Sequence, residues 1–250
     1  MSASRSASSA RRVALVTGAS RGIGAEIARR LARDGFHVVV HYAHGAAEAR
    51  EVCASIERAG GSATLLQADL SMSDGPQNLA DAFTEPHLDV LVNNAGIAPF
   101  EAIEDMSEGS YDRLSNVNMR SMFFVTKYLL PKLRDGGRIV NLSSIVARTA
   151  FPGIPAYSAT KGFVDVFTLQ LAASLGARNI TVNAVAPGVI ETRLTTGLLE
   201  GGGAEAVQAM QALSGIGTPD RVAGVVSFLV GADGGWTTGQ VIDVSGGSKL

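Results

Sequence analysis

Tyr157 and Lys161 stand four residues apart in Tyr157-Ser158-Ala159-Thr160-Lys161, and Ser144 precedes the tyrosine by thirteen. On a helix such a pair shares one face, one turn apart. A phenol is a poor acid near neutrality, with an ordinary pKa of about 10. A neighbouring ammonium favours the phenolate and draws that value down. A serine hydroxyl beside it can hold the oxygen of a carbonyl or an alcohol. Together these groups can protonate an oxygen while hydride is delivered to the attached carbon. The same spacing also arises on a solvated helix face, so its weight depends on the elements that position it.

The first of those elements begins with Val13-Ala14-Leu15-Val16-Thr17, a short apolar run of the kind that forms a buried parallel strand. Gly18-Ala19-Ser20-Arg21-Gly22-Ile23-Gly24 follows at once, and a helical pattern starts behind it. Glycines at such a turn let backbone approach a pyrophosphate, and a helix N-terminus presents free N–H groups and a positive dipole end. The alternative is an ordinary strand-to-helix turn. The strand–turn–helix setting favours the dinucleotide reading.

With these residues in place, the chain resembles the short-chain dehydrogenase/reductase family, in particular its 3-oxoacyl carrier-protein reductases. Thr17-Gly18-Ala19-Ser20-Arg21-Gly22-Ile23-Gly24 is similar to the TGxxxGIG cofactor turn, and Asn93-Asn94-Ala95-Gly96 to the NNAG element. The resemblance spans residues 12 to 247. It implies a catalytic set of Asn118, Ser144, Tyr157 and Lys161. Tyr157 would be the acid in reduction and the base in oxidation, and Lys161 would lower its pKa and bind ribose. Ser144 would hold the substrate oxygen, and Asn118 would kink its helix around a water joining Lys161 to solvent. It also implies a cofactor site of Gly18, Ser20, Arg21, Gly22, Ile23, Gly24, His41, Asp69, Leu70, Asn94, Ala95, Gly96, Tyr157, Lys161, Pro187, Gly188, Ile190 and Thr192. Asp69 and Leu70 would lie at the adenine, and Pro187-Gly188 with Thr192 would support the nicotinamide carboxamide.

Cofactor preference is read at the end of the second strand. An enzyme preferring NAD places a carboxylate there for the ribose 2′-hydroxyl. Here Val38-Val39-Val40 runs into His41-Tyr42-Ala43-His44, and no acid occurs before Glu48. Arg21 in the glycine turn can pair a 2′-phosphate through two parallel hydrogen bonds, with His41 or His44 as a further donor. NADP(H) is therefore expected over NAD(H).

Alternating strand and helix patterns predict one Rossmann-type α/β domain over 13–250, a doubly wound, seven-stranded parallel sheet with helices on both faces. Strands are expected near 13–17, 37–42, 63–68, 88–92, 137–142, 180–185 and 240–244. Helices are expected near 22–34, 46–59, 74–84, 111–134, 156–177 and 219–231. Residues 1–12, small and polar, read as a disordered tail without the apolar core of a secretory signal. Segment 190–218, interrupted by Gly201-Gly202-Gly203, reads as a substrate lid with a glycine hinge, or else as a plain surface loop.

Composition bounds the partners. A formal net charge of −2 with 46% hydrophobic residues lacks the basic footprint of a nucleic-acid binder. No apolar run approaches the roughly 20 residues that span a bilayer. The lone Cys53 suits a reducing compartment, and no Cys/His spacing suggests a metal. A cytoplasmic protein is expected; the terminal Ser248-Lys249-Leu250 would be a peroxisomal address only in a eukaryote. The family implies a homotetramer or homodimer built through the helices at 111–134 and 156–177, and Met119, Met122, Phe123, Phe163, Val166 and Phe167 offer apolar surface either for that or for the sheet.

The expected reaction is reduction of a ketone, a small-molecule carbonyl substrate, to a secondary alcohol. An NAD-dependent alcohol or sugar dehydrogenase, a non-catalytic dinucleotide sensor and a structural subunit stay open as alternatives. Where the carrier-protein reductases that the chain resembles use arginines to dock an acidic partner, an ungapped reading finds Asp135 and Ala173, although Arg134 and Arg178 lie close by. Ile145, Val146, Ala147, Phe151, Ile154 and Phe100 could wall an apolar pocket or belong to the core.

Overall fold

The structure, a computed structural model, describes residues 11–248. The expected tail, except for Arg11 and Arg12, and the last two residues of the Ser-Lys-Leu terminus lie outside the described residues. Seven strands, β1 (Val13–Val16), β2 (His37–Tyr42), β3 (Ser62–Gln67), β4 (Leu88–Asn93), β5 (Leu133–Leu142), β6 (Thr181–Pro187) and β7 (Val241–Val244), form one sheet in the order β3-β2-β1-β4-β5-β6-β7. Every pairing is parallel. β1, β2 and β6 are buried along their whole length, whereas the edge strands β3 and β7 are partly open.

Side chains alternate across the sheet with the two-residue period of a strand. Ala14, Val16, Val38 and Val40 pack on one face against α1 (Gly22–Arg33), α2 (Ala46–Arg58) and α9 (Pro219–Val230). Val13, Leu15 and Val39 enter the opposite core with α3 (Gly75–Ala82), α5 (Ser121–Leu129) and α6 (Pro155–Leu175). Helices cover both faces, which is the doubly wound arrangement. The strand order reverses between neighbouring β1 and β4, and ligands bind such sheets in the crevice at that switch point, beyond the carboxyl ends of the strands.

The long helix expected at 111–134 is broken into α4 (Glu108–Ser115), a π-helical turn (Asn116–Arg120) and α5. It starts early because Ser107 caps α4, its hydroxyl accepting from the Ser110 amide at 3.1 Å. It stops early because Pro131 has no backbone N–H with which to extend the helical ladder. β5 begins at Leu133 instead of 137; a register shift between Leu88 and Val90 accommodates the turn at Gly136-Gly137. In segment 190–218, α7 (Thr196–Leu199) and α8 (Gly203–Ala209) flank Gly201 and Gly202, both at positive φ. That turn is ordered by Gly203, whose amide donates to the Glu200 carbonyl at 3.0 Å.

Candidate active site at the switch point

The turn after β1 is held from below. Asn94 Nδ2 donates to the carbonyls of Thr17 and Gly18 at 2.8 and 3.0 Å, while the Thr17 hydroxyl accepts from the amides of Asn94 and Ala95 at 2.9 and 3.0 Å. The strand ends on the two sides of the switch point are thereby locked together. Gly24 leaves no alternative residue: a Cβ there would stand 2.4 Å from Asn94 Nδ2 and 2.5 Å from the Gly18 carbonyl. Gly18 and Gly22 both adopt positive φ, and Thr192 lies across from Gly22. α1 then begins behind Arg21 with no side-chain cap and no acid in its first turn. Its leading amides remain available to an anion.

The end of β2 differs from the sequence expectation at His41. That side chain is buried beneath the glycine turn, with Nδ1 accepting from the Gly18 amide at 3.0 Å and Nε2 donating to the Ala68 carbonyl at 3.0 Å. Burial lowers its pKa to about 4, so the ring is neutral and both nitrogens are engaged. It supports the turn and does not reach outward to a 2′-phosphate. Arg21 is exposed in the glycine turn, and His44 is exposed with Nε2 3.6 Å from Asp69 Oδ2. Asp69 Oδ1 accepts from the Ser71 hydroxyl and amide, which hold its carboxyl below the ordinary range. Leu70 beside it is buried. Among the described residues, then, no carboxylate takes the place at the end of β2 that an NAD-preferring site uses.

Ser144, Tyr157 and Lys161 meet where β5 ends against α6. Lys161 is buried, and its Nζ donates to the Leu142 carbonyl at 2.7 Å. Burial lowers its pKa to about 8, opposed by Asp165. Nζ lies 5.6 Å from the centre of the Tyr157 ring. The sequence predicts a lowered phenol; here burial pushes Tyr157 up to about 12, and hydrogen bonding with Ser144 is what opposes the rise. Desolvation outweighs that hydrogen bond. Ser144 Oγ also faces the Pro187 carbonyl at 3.5 Å.

Asn118 sits inside the π turn. Its Oδ1 accepts from the Ile97 amide at 2.9 Å, and its Nδ2 donates to the Ile97 carbonyl and to Thr160 Oγ1 at 2.9 and 3.1 Å. The side chain thus ties the loop after β4 to α6, and the helix departs from α geometry around it. Gly96 lies against it: a Cβ there would be 3.5 Å from Asn118 Oδ1 and 3.9 Å from Lys161 Nζ. Gly188 packs so tightly on Ser245 that a Cβ would come 2.9 Å from its Cα. Ile190 is buried and bridges to Gly217, closing the base of the 190–218 segment.

The pocket wall resolves into core and surface. Ile145 and Ile154 are buried, whereas Phe100 is 60% exposed. A cleft of about 520 Å3, lined by Ile103, Met106, Tyr111 and Pro155, opens two residues before Tyr157. Ile103 and Met106 in the loop before α4, and Tyr111 on α4 itself, carry no sequence signal that marks them as pocket lining.

A dinucleotide-binding turn at the switch point of a parallel sheet, with a tyrosine, a lysine and a serine gathered beside it, defines a nicotinamide-dependent oxidoreductase. The family described as Enoyl-(Acyl carrier protein) reductase matches residues 18–249. An uncharacterized oxidoreductase of Methylorubrum extorquens is 43% identical, covering 95% of this chain and 98% of its own. Versicolorin reductase of Emericella nidulans is 39% identical, covering 95% of each chain. The crystal structure of angucycline C-6 ketoreductase LanV with bound NADP superposes with a TM-score of 0.91 at 38% identity, covering 96% of each chain. The chain belongs to the short-chain dehydrogenase/reductase family.

Proposed function

We propose that this enzyme reduces a ketone to a secondary alcohol with NADPH. The observation that carries the proposal is the convergence of Ser144, Tyr157 and Lys161 on the strand end beside the glycine turn. NADPH, when bound, supplies hydride to the carbonyl carbon. The leading amides of α1 would hold its pyrophosphate, with Ser20, Gly22 and Ile23 in that turn. Arg21 would pair the 2′-phosphate, Asp69 and Leu70 would meet the adenine, and Asn94, Ala95 and Gly96 would line the crevice. Pro187, Gly188, Ile190 and Thr192 would border the carboxamide end, and Lys161 would reach the ribose. A first helical turn without a cap or an acid, and a β2 end without a carboxylate, both suit this cofactor.

Tyr157 gives its phenol proton to the ketone oxygen. A pKa near 12 keeps it protonated at neutral pH, the state that reduction requires of an acid. Ser144 holds the same oxygen by donating its hydroxyl hydrogen. Lys161 keeps a positive charge beside the phenol as that proton leaves. Asn118 holds the loop after β4 over this group through Ile97. The apolar cleft at Ile103, Met106 and Tyr111 suits a bulky ketone, and a ketoreductase and versicolorin reductase stand among the relatives. Segment 190–218 serves as the lid, its glycine turn between α7 and α8 absorbing the movement.

The protein works as a homo-oligomer, in the cytoplasm. Phe123 and Val166 are 44% and 62% exposed on α5 and α6, while Met122 turns into the sheet. Among the described residues no helix is long and apolar enough to cross a membrane. Arg178 is paired to Asp135 at 2.7 Å, which does not favour a carrier-protein dock at that edge. Consumption of NADPH and of NADH at 340 nm against a 3-oxoacyl thioester, a 1,2-diketone, a bulky aryl ketone and a keto sugar tests the reading. Turnover with NADPH on the aryl ketone is expected; NADPH binding without turnover on any of them would contradict it.

A further inference from the structure

Three consecutive residues at the end of β5 are bound to three residues spaced four apart on one stripe of α6. The Leu142 carbonyl accepts from Lys161, and Ser144 interacts with Tyr157. Between them, the buried Ser143 donates its hydroxyl to Asp165 Oδ1 at 2.5 Å, with the Lys161 carbonyl 3.4 Å away. Asp165 lies one turn beyond Lys161, as Lys161 lies one turn beyond Tyr157. Its side chain is 16% exposed, and its other oxygen faces Arg148 Nε at 3.6 Å. Arg148 in turn pairs with Asp243 on β7 at 2.5 Å. That outer pair is about half exposed and contributes little by itself. The inner contact, a buried hydroxyl given to a mostly buried carboxylate, is the stronger constraint.

We propose that Asp165 is a positioning residue for this reaction: by holding the Ser143 hydroxyl it fixes strand end 142–144 against the Tyr157–Lys161 stripe. The inference rests on the catalytic reading of Ser144, Tyr157 and Lys161 given above. Two separate effects follow. Losing the Ser143 contact frees the peptide that carries Ser144, and a displacement of the reacting groups lowers turnover. Losing the charge removes the one group that raises the Lys161 pKa against burial. The charged or titratable groups around this pair are Tyr157 on α6, Arg148 after β5 and Asp243 on β7; Arg148 lowers the carboxyl of Asp165 while Asp243 and burial raise it.

The test compares Asp165→Asn, Asp165→Glu, Ser143→Ala and the Asn/Ala double variant with the wild-type enzyme, using NADPH and a ketone that it turns over. Asp165→Asn should lower kcat on the order of tenfold, with KM for NADPH within about twofold. It should also move the alkaline limb of the kcat–pH profile to lower pH. Asp165→Glu should restore that limb. Ser143→Ala should lower kcat and leave the limb in place, and the double variant should be no slower than Asp165→Asn. Should Asp165→Asn fail to fold, Ser143→Ala carries the positioning claim and Asp165→Glu the charge claim. Wild-type kcat and an unmoved limb in the folded variants would overturn the proposal, as would additive losses in the double variant. Tyr157→Phe run alongside separates the two levels: if it is inactive while Asp165→Asn is unaffected, only the role of Asp165 falls. An active Tyr157→Phe overturns the catalytic reading and this inference together.

Discussion

Lys161 Nζ donates to the carbonyl of Leu142, the last residue of β5, across 2.7 Å, and the lysine is buried. The contact fixes the helix that carries Tyr157 to the strand that carries Ser144. It also satisfies a charge that burial alone would expel, and leaves the lysine with a pKa of about 8. The ammonium is therefore fully present well below pH 8 and is lost as pH rises through that value. Reduction should follow it, with kcat constant from pH 6 to 7 and falling above about pH 8. A kcat that stays level to pH 10 would show that the charge on Lys161 is not used.

Arg21 is an exposed cation at the cofactor turn, and among the described residues no carboxylate stands at the end of β2. Arg21→Ala should raise KM for NADPH by about tenfold or more, the scale of a lost charge-assisted hydrogen bond. KM for NADH should change by less than about twofold. Equal changes for both cofactors would remove Arg21 from the 2′-phosphate.

His41 makes an acid-sensitive support. Its folded pKa of about 4 lies below the ordinary 6.5, so the stability that it contributes is present above pH 6.5 and lost as pH falls to about 4. A difference of that size corresponds to roughly 3 kcal/mol. Wild-type Tm should fall more steeply than that of His41→Asn between pH 6.5 and 4. Parallel curves would mean that the proton is taken up elsewhere.

Much of this was legible in the sequence, and the exceptions have local causes. Val13–Val16 and Val38–Val40 announced buried parallel strands because side chains covered on both faces leave an unbroken apolar run. The π turn at Asn118 was not legible from periodicity, since its cause is a pair of hydrogen bonds to Ile97, twenty-one residues away. The role of His41 is hidden for a similar reason. A histidine at a strand end looks like a surface donor until Gly18 and Ala68 close over both nitrogens. The phenol of Tyr157 reads as lowered from sequence, which shows the spacing of the lysine but not the burial that raises the phenol.

The exposed side chains of Phe123 and Val166 mark the face of α5 and α6 assigned to a second copy. A glutamate at either position would bury an unpaired charge in that contact. Val166→Glu should reduce the mass seen by light scattering to that of a smaller assembly, with the far-ultraviolet circular dichroism unchanged. An unchanged mass in both Val166→Glu and Phe123→Glu would move the interface elsewhere.

The central claim is that Tyr157 protonates the ketone. It is tested most directly by Tyr157→Phe, assayed for NADPH consumption on a ketone that the wild-type enzyme turns over, with NADPH affinity measured by titration. The variant should lose at least about a thousandfold in kcat, within the range that a positioned general acid contributes, and bind NADPH within a few-fold of wild type. Substantial turnover by the variant would contradict the account.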